Sequence, residues 1–335
     1  MRLIKLLFVL SLATLLIGGA YGVWWVDRPL RMGAGVSEQQ PLEVEIAPGQ
    51  SARGVAEKLA AAGVQTPWVL LYGWFRISGG SRDIKAGSYE FAPGTTPRSL
   101  LSKLVRGEQA VRSITLLEGW NHRQVFELLR GSPDLTQDLE GLSTADIMAL
   151  IGQPGRHPEG RFFPDTYRVA KRATASSVLR QAAQAMDKRL AEVWAQRDAA
   201  SPLRTPDEAL ILASIIEKET GLESDRRRIG GVFANRLRIG MRLQTDPTVI
   251  YGLGERFDGN LRRIDLQTDS PYNTYTRAGL PPTPIAMPGA ASLRAAVQPA
   301  DTDAIYFVAR GDGSSQFSAT LEEHNAAVRR YILRR

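Results

Sequence analysis

Apolar positions are spread unevenly along the 335 residues. The longest apolar run comes first: Leu6 to Val26 carries no charge, with Arg2 and Lys5 before it and Asp27, Arg28 and Arg31 after it. As a helix rising ~1.5 Å per residue it spans roughly 31 Å, about one hydrocarbon core. Trp24 and Trp25 stand at its outer end, where indoles favour a lipid–water boundary. The pattern predicts a single transmembrane helix over 6–26, with 1–5 cytoplasmic and the remainder outside. A cleaved signal peptide ending near Gly18-Gly19-Ala20 is the competing reading, but the run exceeds the roughly 7–15 apolar residues such peptides use. Either reading exports the bulk of the chain.

Residues 27–41 read as a linker. Beyond it, short alternating segments lead repeatedly into amphipathic ones. Val44-Glu45-Ile46-Ala47-Pro48-Gly49-Gln50-Ser51 precedes Ala52 to Gly63, and Tyr89-Glu90-Phe91-Ala92-Pro93-Gly94-Thr95-Thr96 precedes Pro97 to Gly107. Seven of nineteen aligned positions are identical. A weaker third copy runs from Ile114-Thr115-Leu116-Leu117-Glu118-Gly119 into Arg123 to Leu129. Each copy predicts a half-buried strand, a Pro-Gly or Glu-Gly turn and a helix. Ser51 or Thr96 caps the helix, and Val55/Leu59 or Leu100/Leu104 form its apolar stripe. One copy cannot bury its own core, so the copies are expected to pack together or with the aromatic-rich helix Pro67 to Ser78. Trp68, Trp74 and Phe75 at helical spacing read first as core and second as sugar-stacking platforms. The pattern resembles the LysM module, a βααβ unit that binds N-acetylglucosamine-rich glycans. The resemblance makes 42–135 a LysM-like repeat module, with a purely structural spacer as the alternative.

The segment Thr205-Pro206-Asp207-Glu208-Ala209-Leu210-Ile211-Leu212-Ala213-Ser214-Ile215-Ile216-Glu217-Lys218-Glu219-Thr220-Gly221 reads as a helix with marked ends. Thr205 and Glu208 form a capping box, Pro206 takes the first turn and Gly221 supplies the stop. Ala209 to Ile216 is apolar except for Ser214, so burial nearly all round is expected. At ~100° per residue Glu217 falls between Leu210 and Ala213, and Glu219 between Leu212 and Ile215. Both acids can be drawn into low dielectric, where a carboxyl keeps its proton and can donate it to a glycosidic leaving group. Periodicity does not choose between them. The plainer reading leaves both solvated at the helix end or paired with Arg226 to Arg228.

Polar and aromatic loop clusters surround this helix in the sequence: Glu159-Gly160-Arg161-Phe162-Phe163-Pro164-Asp165-Thr166-Tyr167, Arg242-Leu243-Gln244-Thr245-Asp246-Pro247, Pro271-Tyr272-Asn273-Thr274-Tyr275 and Gly279-Leu280-Pro281-Pro282-Thr283-Pro284-Ile285. Aromatics suit pyranose faces, and amides suit acetamido and hydroxyl groups. The C-terminal part reads as strand Ile305 to Ala309, a Gly-Asp-Gly turn, strand Gln316 to Ser318 and helix Leu321 to Leu333, with Arg329, Arg330, Arg334 and Arg335 on a solvated face.

Composition narrows the chemistry. The chain has no cysteine, which excludes disulfides, thiolate metal sites and thiol nucleophiles. Its three histidines, His122, His157 and His324, have no helical ligand spacing, so no metal and no cofactor are expected. The net charge of +7 rests on 35 Arg and 7 Lys, and without a basic-aromatic recognition motif it does not point to nucleic acid. No phosphate-binding or dinucleotide fingerprint occurs.

Taken in order, EGRFFPDTY, LASIIEKET, NRLRIGMRLQTDPTVIYG, YNTY and GLPPTPI resemble the membrane-bound endolytic murein transglycosylases, the YceG-like family. The resemblance makes 136–335 an α+β catalytic domain around a buried catalytic helix. It implies cleavage inside peptidoglycan strands at the MurNAc–GlcNAc β-1,4 bond, leaving 1,6-anhydro-MurNAc ends, and it selects Glu217 as acid/base. One carboxyl suffices for such a lyase, because the C6 hydroxyl of the sugar is the nucleophile. Gln244, Asp246, Asn273 and Tyr275 are the expected substrate-orienting residues, with Asn235 and Asp165 as further lining. Asp246 has a second reading as a helix cap, and Glu219 as a tuning neighbour or a structural group. Partners under this reading are peptidoglycan strands, the inner membrane through 6–26, and peptidoglycan synthases or penicillin-binding proteins. A two-carboxylate muramidase using Glu217 and Asp246, and a non-enzymatic wall-binding scaffold, are the alternatives.

Overall fold

The computed structural model describes residues 2–333, and the side chains of 2–9, 11 and 15 fall outside it. Arg334 and Arg335 of the expected basic face also lie outside the described residues. The chain divides into two compact units, one holding the residues up to Arg112 plus Arg168–Arg172, the other Ser113–Tyr167 plus Ala173–Arg335.

In the first unit, helix α1 (Arg2–Trp25) is followed by β1 (Leu42–Ile46), α2 (Ala52–Ala62), α3 (Trp68–Ile77), β2 (Gly87–Phe91) and α4 (Pro97–Arg106). The expectation of a single transmembrane helix is corrected here: among the described residues no helix is long and apolar enough to cross a membrane. The last two residues of the apolar run pack against the folded unit. Trp25 lies against the core of this unit, and Val26 is only 3% exposed. The expected apolar positions Leu6 to Val9 lie outside the described side chains.

The two clear repeat copies fold alike. Each Ala-Pro-Gly turn closes through the same hydrogen bond, Gln50 N to Ala47 O and Thr95 N to Ala92 O, both 3.2 Å. Gly49 and Gly94 take positive φ in these turns, +76° and +89°, which their missing side chains permit. Ser51 accepts from Gly54 N at the start of α2, and Thr96 and Ser99 cap α4 reciprocally. β1 and β2 pair antiparallel with Val44 opposite Tyr89 and Leu42 opposite Phe91. Their inner faces and the stripes Val55/Leu59, Leu71/Phe75 and Leu100/Leu104 form one core. Phe75 is buried there, while Trp68 and Trp74 pack at its margin. β1-α2-α3-β2 is thus a βααβ arrangement.

The chain passes between units within β3 (Val111–Thr115) and β4 (Thr166–Ala170), so the third strand–helix copy leads into the second unit. That unit contains α5 (His122–Arg130), α6 (Thr144–Leu150), α7 (Ala175–Ala195), α8 (Pro206–Glu219), α9 (Glu223–Arg238), α10 (Asp246–Leu253), α11 (Arg263–Gln267), α12 (Ala290–Val297), β5 (Tyr306–Ala309), β6 (Ser315–Ser318) and α13 (Leu321–Tyr331). The α+β class holds, with three two-stranded sheets among the described residues.

α8 is the central helix of the second unit. Every residue from Ala209 to Ile216 is buried, packed on α7, α9 and α12. Ser214, the polar residue in this run, is satisfied: its hydroxyl donates to Ile211 O and accepts from Ile285 N. Thr205 caps the helix by accepting from Glu208 N, and Pro206 fills the first turn. α9 approaches α12 closely because Gly230 has no side chain, since a Cβ there would stand 2.5 Å from Ala295 O.

Candidate active site

α8 delivers its two terminal acids to different neighbours. Glu217 is buried, with a side chain 7% exposed. Its Oε2 accepts from Gly289 N at 2.9 Å, the residue that precedes α12, so one orphan amide at a helix start is satisfied by this carboxyl. Its Oε1 lies 3.7 Å from Nη2 of Arg226, a buried guanidinium on α9 that also pairs with Glu223.

Glu118 stands on the other side of Gly289. A Cβ built on Gly289 would lie 1.7 Å from Glu118 Oε1, so only glycine leaves room for that carboxyl. The loop bearing Glu118 is pinned in three places. Gly119 N donates to Met287 O, Met287 N donates to Trp120 O, and Lys218 Nζ donates to Gly119 O. Much of Glu118 faces solvent, yet its carboxyl is held above the ordinary range, first by partial desolvation and then by the charge of Glu217, with Arg226 opposing.

Glu219 points into a second cluster. It accepts from the Thr245 hydroxyl, and burial pushes its pKa up to about 7, against the lowering effect of that hydrogen bond. Asp246 raises it further and Arg236 lowers it. Tyr275 donates to Asp246 Oδ1 at 2.5 Å. Gln244 takes positive φ, +48°, and its amide donates to Thr274 O, which ties the 244–246 segment to the 273–275 segment. Asp246 begins α10 but does not cap it: Thr245 occupies that position and makes no side-chain cap bond.

The structure therefore gathers Thr245, Asp246 and Tyr275 about Glu219, with Gln244 bonded to Thr274 beside them, and surrounds Glu217 with Glu118, Arg226 and Gly289. Asn273 is buried and supports the loop, its amide donating to the carbonyls of Asp265, Leu266 and Thr268. Asn235 donates to Thr302 O and Ala304 O, tying α9 to the segment before β5. Asp165 is exposed and accepts from Thr166 N.

A cavity of about 1180 Å³ borders the end of α8. Lys218 and Gly119 reach its wall, Glu217 and Glu219 do not, and His122, Glu159, Tyr251 and Arg256 complete much of the lining. Glu159 is fully buried and accepts from His122 N, His122 Nδ1 and Tyr251 OH. Desolvation and the neighbouring His122 lower the His157 pKa. Gly160 lets this loop meet the Pro-rich one, since a Cβ there would stand 2.6 Å from Pro284. Sequence reasoning missed Glu118, Glu159 and Tyr251 as site residues. Glu118 sat in the weak third repeat copy, and Glu159, between Pro158 and Gly160, belongs to a stretch with no helical or strand period.

Comparison with known proteins agrees with this architecture. The model of the YceG-like family matches residues 44–330. An endolytic murein transglycosylase of Bacillus subtilis (strain 168) is 30% identical over 335 aligned positions, covering 95% of this chain and 91% of that protein. The protein of the same name from Streptococcus pneumoniae serotype 2 (strain D39) is 27% identical, covering 97% of this chain and 64% of that protein. A crystal structure of a yceG-like protein from Listeria monocytogenes superposes with a TM-score of 0.53 at 30% identity, covering 85% of this chain and 98% of that one. The chain belongs to the YceG-like family.

Proposed function

We infer that this protein is a lytic transglycosylase that cleaves inside the glycan strands of peptidoglycan, with Glu217 as the acid/base. The observation that carries the reading is a nearly buried carboxyl with a fixed direction, held through one oxygen by Gly289 N and leaving the other beside Arg226. The names of the relatives supply the substrate class.

In the proposed reaction the Glu217 carboxyl donates its proton to the glycosidic oxygen as the C1–O bond breaks. The acetamido group stabilises the developing oxocarbenium ion. The C6 hydroxyl then attacks C1, its proton passes to the Glu217 carboxylate, and a 1,6-anhydro end forms. No water is consumed. The cluster of Gln244, Asp246 and Tyr275 and the cavity beside Lys218 are proposed to hold the sugars flanking the scissile bond. The LysM-like βααβ arrangement is proposed to present the strand, and synthases extending that strand are the proposed partners.

The second reading, a hydrolase, draws its support from the carboxyl of Glu118 rather than from Asp246, which is bound to Tyr275. Digestion of purified peptidoglycan separates the two. Products with anhydro ends support the transglycosylase, whereas products heavier by one water support the hydrolase. Loss of product with Glu217→Gln, in protein that melts like wild type, supports the assignment of Glu217.

A further inference from the structure

We propose that Glu118 is a positioning residue for the Glu217 centre: the two carboxyls act as an electrostatically coupled pair across Gly289, and the charge at Glu118 sets the alkaline limit of activity. This rests on the reading of Glu217 as the acid. The geometry carries it. Gly289 N donates to Glu217, while the space where a side chain would grow from Gly289 is occupied by a Glu118 oxygen. The backbone that carries Glu118 is held in place, because its loop is bonded in both directions to Met287 and to Lys218 of the catalytic helix. Carboxyls that flank one glycine resist ionising together, so a negative charge at Glu118 favours the protonated form of the centre. The raised position of Glu118, with Glu217 among its causes, agrees.

The charges facing the pair are few enough to name. Arg226 and Glu223 approach from α9, and Lys218 from α8. Arg226 offsets part of the repulsion, but it is itself drawn toward Glu223. Since Glu118 is open to solvent on one side, salt screens the coupling.

The test is a charge series at one position, read as the pH dependence of turnover on purified peptidoglycan. Replacing Glu118 with Gln removes the negative neighbour at every pH, and the alkaline limb then moves to lower pH by ~0.5–1 unit. Glu118→Lys moves it further the same way, and Glu118→Asp leaves it near wild type. Raising salt narrows the spread among the variants. KM changes little, because the proposed effect is on proton balance. A role confined to folding does not order the limbs by charge. Coincident alkaline limbs for the wild type, Gln and Lys proteins, all with native melting, overturn the proposal. So does a folded Gln variant inactive at every pH, which makes Glu118 a directly reacting group. Glu217→Gln is run in parallel. Activity in that variant removes the acid assignment itself, a failure distinct from an unmoved limb.

Discussion

Gly289→Ala separates the geometry of the carboxyl pair from the stability of the fold. Gly289 has φ −78° and ψ 174°, which alanine adopts without strain. The three atoms nearest the added Cβ all belong to Glu118, Oε1 at 1.7 Å, Cδ at 2.3 Å and Oε2 at 3.0 Å. That contact is with the far end of a flexible, exposed side chain, which can swing into solvent. The usual ~1–3 kcal/mol of core overpacking is therefore not expected. Restricting the unfolded chain returns about 0.4–1 kcal/mol, and the net change stays within ~1 kcal/mol, or about 2–4 °C in Tm. The Gly289 amide still donates to Glu217. The variant should keep its melting temperature but acquire the shifted alkaline limb of Glu118→Gln. Combining the two substitutions should shift the limb no further, because both remove the same interaction. The assay is thermal melting followed by circular dichroism, paired with peptidoglycan digestion across pH. A large fall in Tm, or shifts that add in the double variant, refutes the reasoning.

Three other outcomes follow from the same structure. Gly230→Ala places a Cβ 2.5 Å from the backbone oxygen of Ala295, which no rotamer change relieves, so it should cost ~1–3 kcal/mol in a melt. Glu219 has a folded pKa of about 7 against an ordinary 4.5, so the unfolded state ionises first and native stability declines as pH rises from about 4.5 to 7. Glu219→Gln should remove that decline, worth up to ~3 kcal/mol above pH 7, and denaturant titrations at pH 5 and pH 8 measure it. Tyr251→Phe deletes one of three donors to buried Glu159 and should cost ~1–3 kcal/mol in thermal unfolding, with KM rising because Tyr251 also lines the cavity.

Local chemistry was the legible part of this sequence. The repeated Ala-Pro-Gly turns, the Ser51 and Thr96 caps and the bounded helix 206–219 rest on interactions within a few residues, and they occur where the pattern placed them. For Glu217 and Glu219 the pattern left burial and pairing with Arg226 to Arg228 both open, and the structure buries both carboxyls while setting Glu217 beside Arg226. What each carboxyl meets depended on contacts more distant in the chain. Glu118 and Gly289 come together through bonds spanning most of the second unit, which no periodicity encodes. Asn273 and Asn235 read as sugar-orienting amides, and in the structure the side-chain nitrogen of each donates to backbone carbonyls of a neighbouring segment. At the end of the apolar opening run, hydropathy likewise does not reveal that Trp25 and Val26 pack against the folded unit.

The most direct test of the central claim is the mass of the glycan ends released from purified peptidoglycan by wild type and by Glu217→Gln. The account predicts internal cleavage with 1,6-anhydro ends from the wild type and no cleavage from a natively folded Gln variant. Ends carrying an added water, or undiminished cleavage by the variant, contradict it.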